Sequence, residues 1–306
     1  MQTARHPCID SVVVVSQSQL TYDGVRRRAD VLAMLSIKIG LMGAGRMATA
    51  LAQGLVRANI VPGERIIACD PSDDARGAFA LAVPDAVIAA DNRSDVALAD
   101  VVVMAVKPQQ MGEALGSIGS AIGCDALLVS IAAGVTLERL AASLPAGQRI
   151  VRVMPNMPCL IGRGVSGFAL GKHATKSDAE LVTLLLSAVG VAFEVPEKLL
   201  DAVTGLSGSG PAFVYSMIEC LASGGAAEGL SPELALEMAA RTVAGAAELV
   251  LQTGEAPAML RDRVASPGGT TEAGLVVLRE RGFNDAVVEA VRAATRRSVE
   301  LGQSSK

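Results

Sequence analysis

Ile37-Lys38-Ile39-Gly40-Leu41-Met42-Gly43-Ala44-Gly45-Arg46-Met47-Ala48 runs from a short apolar stretch through two glycines into an Ala/Leu-rich segment. The stretch through Met42 reads as a strand and Met47–Arg57 as a helix, which makes the join a G-x-G-x-x-A turn. Each small residue has a steric reason. Gly43 allows the tight turn, Gly45 lets backbone N–H groups approach a pyrophosphate, and Ala48 lets helix and strand pack closely. The helix N-terminus adds unpaired N–H groups and a partial positive charge. Glycines also occur in plain strand-to-helix turns, so the motif is weak alone. The strand before it and the helix after it give it the context of a dinucleotide fingerprint.

The pattern repeats outward from this point. Arg65–Cys69, Val101–Val106, Ala126–Ile131 and Arg149–Val153 read as further strands, with helical segments such as Gln109–Ile118 between them. Alternation of strand and helix predicts a parallel sheet with helices on both faces, an α/β fold of Rossmann type. The alternation stops near Val195. Beyond it come Ala-rich helices with clear punctuation: Gly210-Pro211 and Ser231-Pro232 as starts, Gly254 as a stop, and Thr270 or Thr271 as another start. The uncharged stretch Ala202–Ile218 reads as a loop running into a helix. The expected organisation is an N-terminal extension over 1–36, a dinucleotide-binding domain over 37–196 and an all-helical domain over 197–306. Met34 lies just before the first strand, so the extension also reads as an over-long start. About 110 residues with almost no aromatic side chains make a thin core, so the helices are expected to pair with a second subunit and act as a dimerisation domain.

Composition narrows the function. Of 306 residues 51% are hydrophobic but only 2% aromatic, and Lys+Arg 27 against Asp+Glu 31 leaves a net charge of −4. There is no basic block to follow a phosphate backbone and no stock of stacking rings, which argues against nucleic acid. Mean hydropathy is +0.42, yet no stretch offers the ~20 apolar residues of a membrane span. Val12–Val15 is too short for a signal peptide, and Arg26-Arg27-Arg28 lies on its wrong side. Five scattered cysteines without C-x-x-C argue against a disulfide framework or a zinc site and suggest a soluble protein of the cytoplasm. No metal is expected.

The strand ends supply the candidate cofactor residues. Beyond Gly43, Ala44, Gly45, Arg46 and Met47, Asp70 ends the second strand at the distance where a carboxylate meets a ribose 2′-OH and repels a 2′-phosphate. Ser72, with Arg76 or Arg93, would instead serve a phosphate, and Asp70 also reads as a turn residue before Pro71, so NADPH and NADH both stay open. Asn92 follows the next segment. Ala105-Val106-Lys107-Pro108 leaves the sheet at the crevice where such folds bind ligands, although Lys107 also reads as a surface lysine. Ala132-Ala133-Gly134 clears side chains where a ring could lie flat. In Val153-Met154-Pro155-Asn156-Met157-Pro158, Asn156 offers an amide, or the prolines simply make a rigid turn.

Two C-terminal segments are more specific: Ala202-Val203-Thr204-Gly205-Leu206-Ser207-Gly208-Ser209-Gly210-Pro211 and Asp262-Arg263-Val264-Ala265-Ser266-Pro267-Gly268-Gly269-Thr270-Thr271. With the glycine turn, V-K-P-Q and M-P-N in this order, the chain from about Ile37 onward resembles the pyrroline-5-carboxylate reductases, which make proline by reducing a cyclic imine. Gly268 and Gly269 strip the chain to backbone and Thr270-Thr271 opens a helix, which with Ser266 makes a small anion site of a size for one carboxylate, although the same residues also read as an ordinary Gly-rich capped turn. The resemblance implies that the carboxylate of 1-pyrroline-5-carboxylate lies there, that Thr271 faces the ring nitrogen and that Arg263 lies near the substrate. It also implies that Glu197 is an acid close by, and that the assembly is a homodimer of interlocked helical domains, often built up into a decamer. Reduction by hydride from NADPH or NADH needs little side-chain chemistry, since a protonated imine is already electrophilic. Thr271 and Glu197 are the candidate proton handlers; of the two histidines, His6 lies in the extension and His173 in a polar turn. The chain departs from the family pattern at Arg46, Met157, Cys159, Arg163 and Arg263. These departures keep open a reductase of another imine or a nucleotide-binding paralogue without turnover. A 3-hydroxy acid dehydrogenase would need a lysine base in the helical domain, where no lysine occurs between Lys198 and Lys306.

Overall fold

A computed structural model describes residues 35–89, 93–119 and 121–304. Eight strands form one sheet: β1 Ile39–Met42, β2 Ile66–Cys69, β3 Val87–Ala89, β4 Val101–Met104, β5 Leu127–Ser130, β6 Arg149–Met154, β7 Gly164–Leu170 and β8 Gly190–Glu194. Their spatial order is β3-β2-β1-β4-β5-β6-β7-β8. Every pairing is parallel except β6 with β7, which is antiparallel. Six helices accompany the sheet: α1 Arg46–Arg57, α2 Asp73–Ala82, α3 Arg93–Ala97, α4 Met111–Ile118, α5 Leu137–Ala142 and α6 Lys176–Ser187.

β1 and β4 carry no polar side chain, and β5 only Ser130, because both faces are covered. Ile39, Leu41, Val101 and Val103 join the core under α1, α2 and α6, with Leu51, Leu55, Phe79 and Leu185. Met42, Val102, Met104 and Leu128 join the opposite core with Val96, Met111, Leu115 and Leu140 of α3, α4 and α5. At Gly40 α3 comes so close that a β-carbon would stand 2.4 Å from the Val96 carbonyl oxygen. Leu35 belongs to this unit as well: its N–H donates to Ile60 O at 2.8 Å, two residues before the boundary expected from sequence.

The expectations for this half need three corrections. β3, β7 and β8 are strands the sequence did not announce, and β7 reverses direction. The reversal has a consequence for the chain path. β7 starts beyond the C-terminal end of β6, and β8 runs beside β7, so the chain leaves β8 below the edge where the glycine turn lies. It then climbs back along β7 through the short helix α7 Leu200–Val203, whose Leu200 and Val203 pack on Gly167. The stretch from Ala202 is therefore helix rather than loop. A π-helical turn over Thr204–Gly208 follows α7, and α8 Gly210–Ala227 continues from it with Pro211 in its first turn.

The remaining helices are α9 Pro232–Thr253, α10 Pro257–Val264, α11 Thr270–Glu280 and α12 Phe283–Ser304. Their punctuation is as read: the Ser231 hydroxyl accepts from Leu234 N–H, and Gly254 closes α9 in the left-handed region at φ 65°. Little of them is buried in the single chain. Ala235 and Ala239 face α8, and Ser298 of α12 donates to Asp201 at 2.6 Å. Leu206, Leu236, Met238, Met259 and Val277 are more than half exposed, and Leu251 is 79% exposed. Apolar surface on this scale marks an interaction face.

Candidate active site

The glycine turn is clamped from both sides. Gly43 donates to Cys69 O at 2.8 Å, and Ala105 donates to Met42 O at 2.8 Å, so the ends of β2 and β4 hold the end of β1. Gly43 sits at φ 102°, and a β-carbon there would lie 2.7 Å from Ala105 O. Gly45 is different: its backbone is extended, and a β-carbon would meet nothing within 4 Å. It caps α1 without any side-chain bond, and the first helical N–H to find an in-helix carbonyl is Thr49, on Gly45 O at 3.0 Å. The N–H groups of Arg46 and Met47 therefore open toward free space, which fits a pyrophosphate. Ala48 is buried against the sheet, as its small size requires.

Asp70 is held rather than loose. One carboxylate oxygen accepts from Ala44 N–H and the other from Ser72 N–H, both at 2.9 Å. Arg76 donates to Asp70 O at 2.6 Å and pairs with Asp73, while the Ser72 hydroxyl caps α2 by accepting from Ala75 N–H. Of the three groups suggested for a 2′-phosphate, Ser72 and Arg76 thus already have partners. Asn92 and the side chain of Arg93 lie outside the described residues. Ala105, Val106 and Pro108 line the end of β4, and Lys107 is exposed there. Ala133 is exposed after β5, next to Gly134, where the end of α12 approaches at Leu301 and Gly302.

Asn156 does something the sequence reading did not foresee. Its carbonyl oxygen accepts from Val165 N–H at 2.8 Å, and its amide donates to Ser207 O at 3.1 Å. In a regular helix the Ser207 carbonyl would accept from the residue four positions on, but that residue is Pro211, which has no N–H. Asn156 supplies the missing donor from the sheet. It is a clamp between the end of β6 and the start of the helical region, a role the sequence reading did not assign to it.

Glu197 is held in a comparable way. One of its oxygens accepts from Leu137 N–H, at the start of α5, at 2.7 Å and from Arg152 at 3.0 Å. Arg152 projects from β6 and is 6% exposed, so Glu197 is its charge partner in a desolvated place. A carboxylate fixed this way positions two elements, β6 and the start of α5. A cavity of about 340 Å³ lined by Ala169, Leu170 and Glu194–Glu197 opens beside it.

The turn read as a carboxylate site is a tight backbone turn ahead of α11. Ser266 O accepts from Gly269 N–H at 2.9 Å, Gly268 lies at φ 70°, and Gly269 caps α11 in extended geometry. The N–H groups of Thr270 and Thr271 have no partner among the described residues. Two neighbouring groups escaped the sequence reading. Glu255 takes Arg263 in a two-pronged ion pair, with one N···O distance of 2.9 Å. Glu272 reaches back to accept from Gly268 N–H at 2.5 Å. The spacing of eight between Glu255 and Arg263 is not helical, so only the fold reveals that pair. The hydrogen bonds and ion pairs of residues 255–272 stay within that stretch and its immediate flanks. A single chain thus makes the dinucleotide turn and the carboxylate turn without bonding one to the other.

Of all titratable groups described, the Cys159 thiol stands out: burial pushes it above the usual thiol range, and hydrogen bonding around Asn156 and Ser166 offsets part of that. It fills the space facing Gly164, where a β-carbon would clash with its sulfur. Nothing in the structure explains Met157, which is partly exposed beside it.

Strand order 3-2-1-4-5-6 with a glycine turn after β1 and an acidic residue after β2 defines a Rossmann-type, NAD(P)-dependent oxidoreductase. Comparison with known proteins narrows this. Residues 197–301 match the family described as pyrroline-5-carboxylate reductase dimerisation, and 38–134 match that described as NADP oxidoreductase coenzyme F420-dependent. A pyrroline-5-carboxylate reductase of Methanosarcina acetivorans is 44% identical over 270 residues, 87% of this chain and 98% of that protein. One from Arabidopsis thaliana is 43% identical over 274 residues, 88% of this chain and 97% of that protein. Among solved structures, Plasmodium falciparum pyrroline carboxylate reductase with NADP bound superposes with a TM-score of 0.79 at 34% identity, covering 88% of this chain and 100% of the other. The chain belongs to the pyrroline-5-carboxylate reductase family.

Proposed function

We propose that this chain reduces the C=N bond of 1-pyrroline-5-carboxylate to give L-proline, using NADPH or NADH bound at the glycine turn. The observation that carries this reading is the identity of about two residues in five to named reductases along nearly their whole length, through both the sheet and the helices. When bound, the dinucleotide supplies a hydride to the imine carbon. The protein's part is to hold and to orient. The backbone of Gly45, Arg46 and Met47 takes the pyrophosphate, with Ala105, Val106, Lys107, Pro108 and Ala133 around the rest of the cofactor. The free N–H groups of Thr270 and Thr271 hold the substrate carboxylate, with Ser266, Gly268 and Gly269 shaping the turn. The Thr271 hydroxyl, both donor and acceptor, sits beside the ring nitrogen that must carry a proton at the end of the reaction.

This reading divides the chain into a dinucleotide domain through residue 196 and a substrate and dimerisation domain from 197. It also calls for a second copy. The exposed apolar faces of α8–α12 need cover, and the carboxylate turn makes no bond to the sheet of its own chain. Two copies joined through these helices bring one chain's turn to the other's crevice. No described helix is long and apolar enough to cross a membrane. Cys69, Cys124, Cys159 and Cys220 form no disulfide among the described residues, in keeping with the cytoplasm.

The test is loss of NADPH, and separately of NADH, with 1-pyrroline-5-carboxylate and purified protein. Proline formation with either supports the reading. Absence of turnover, with both dinucleotides bound by calorimetry, overturns it in favour of another imine or an inactive paralogue.

A further inference from the structure

The carboxylate turn already carries a carboxylate. Glu272, third residue of α11, folds back so that one oxygen lies 2.5 Å from Gly268 N–H. Neighbouring charges cancel in pairs: Arg261 with Asp262, and Arg263 with Glu255. Glu272 has no cation among the described residues, and Gly268 N–H is its one recorded partner. Within its own chain, therefore, one negative charge without a counter-ion among the described residues stands on a turn whose open donors, Thr270 and Thr271 N–H, lie a little further along the same backbone. The substrate and the product are both carboxylates, and each must bind beside that charge.

We propose that Glu272 is an affinity-limiting residue of the carboxylate site, an internal anion that weakens binding of substrate and product alike. The proposal rests on the substrate reading above. A helix N-terminus favours one anion strongly, and a second within a few ångströms meets like-charge repulsion that partly cancels the gain. Glutamine at this position keeps an acceptor for Gly268 N–H and removes only the charge. A prop for the turn would survive that exchange, whereas a rival of the substrate would not.

The experiment compares wild type, Glu272→Gln and Glu272→Ala as full-length proteins of verified melting temperature. With Glu272→Gln, KM for 1-pyrroline-5-carboxylate is expected to fall about fivefold, equivalent to ~1 kcal/mol. The inhibition constant of L-proline should fall by a similar factor, and both differences should shrink at high salt. Calorimetric titration of L-proline into the protein with oxidised dinucleotide gives the same comparison without turnover. Unchanged or raised constants in Glu272→Gln overturn the proposal, as does weaker proline binding in a stably folded Glu272→Ala. If wild type neither reduces the imine nor binds proline, the substrate reading itself fails. Turnover by wild type with no gain in the variants defeats only the role of Glu272.

Discussion

Replacing Asn156 by alanine should loosen the joint between the sheet and the helices without directly touching the cofactor. The side chain is 8% exposed and makes two bonds, from Val165 N–H and to Ser207 O. Alanine leaves both backbone groups unpaired, each costing about 1–3 kcal/mol when poorly hydrated, so ~2–6 kcal/mol is expected in sum. At roughly 2–4 °C per kcal/mol for a chain of this order of size, melting should drop by about 4–24 °C. The decisive assay is a double-mutant cycle with Pro211→Ala. Alanine at 211 has an N–H, and that N–H can reach the Ser207 carbonyl that Asn156 otherwise serves. Asn156→Ala should therefore cost about 1 kcal/mol less in the Pro211→Ala background than in wild type. Additivity within ~0.5 kcal/mol would refute the argument that proline creates the vacancy that asparagine fills. A rise in KM for dinucleotide with unchanged melting would refute it differently, by showing the amide to be a cofactor contact.

Three further outcomes follow from the same geometry. Asp70→Ser removes a fixed carboxylate from the end of β2, so the ratio of kcat/KM for NADPH to that for NADH should rise about tenfold; an unchanged ratio, measured by steady-state kinetics, would mean that Asp70 only holds the glycine turn. Glu197→Gln deprives buried Arg152 of its counter-charge and should lower stability by ~1–3 kcal/mol, less than a fully buried pair because the Glu197 carboxylate is partly solvated. Denaturant midpoints would show this, whereas full stability with a lost acidic limb in the kcat profile would restore Glu197 as a proton handler. Cys159 has a thiol raised above its ordinary 9.0 by burial. The folded state then holds that proton more tightly, so its contribution is intact below about pH 9 and declines as pH rises beyond. Cys159→Ala should flatten the alkaline fall in stability, and an equally steep fall would assign it to other groups.

The legible part of this fold is the part whose signal is local. Val101–Met104 is apolar at every position and Leu127–Ser130 at all but its last, because helices cover both faces, and such runs stand out. β3 has three residues with Val87 half exposed, and β7 is interrupted by Gly164, Ser166 and Gly167, so neither carries a clear period. The helix through Gly205 and Gly208 runs against propensity. Its glycines are there because α12 and Met154 press on them: a β-carbon on Gly205 would lie 2.8 Å from Val291 O. That is tertiary packing overriding a local preference. In the site, the two backbone turns were readable because glycine and threonine at fixed spacing have a mechanism. Asn156 was not, since its partner lies 51 residues away and is defined by what Pro211 lacks. The same holds for Glu197, whose partners sit on β6 and at the start of α5.

The two glycines that open α1 look alike in the sequence and answer to different judges. Gly43 is wedged against Ala105 O at positive φ, so a side chain there would be rejected as the chain folds, with or without ligand. Gly45 faces open space, so alanine there should fold without complaint and be noticed only when a pyrophosphate arrives. A library screened for foldedness alone would keep the first glycine and let the second drift. A library screened for turnover would keep both, and comparing the two would separate what the backbone demands from what the ligand demands.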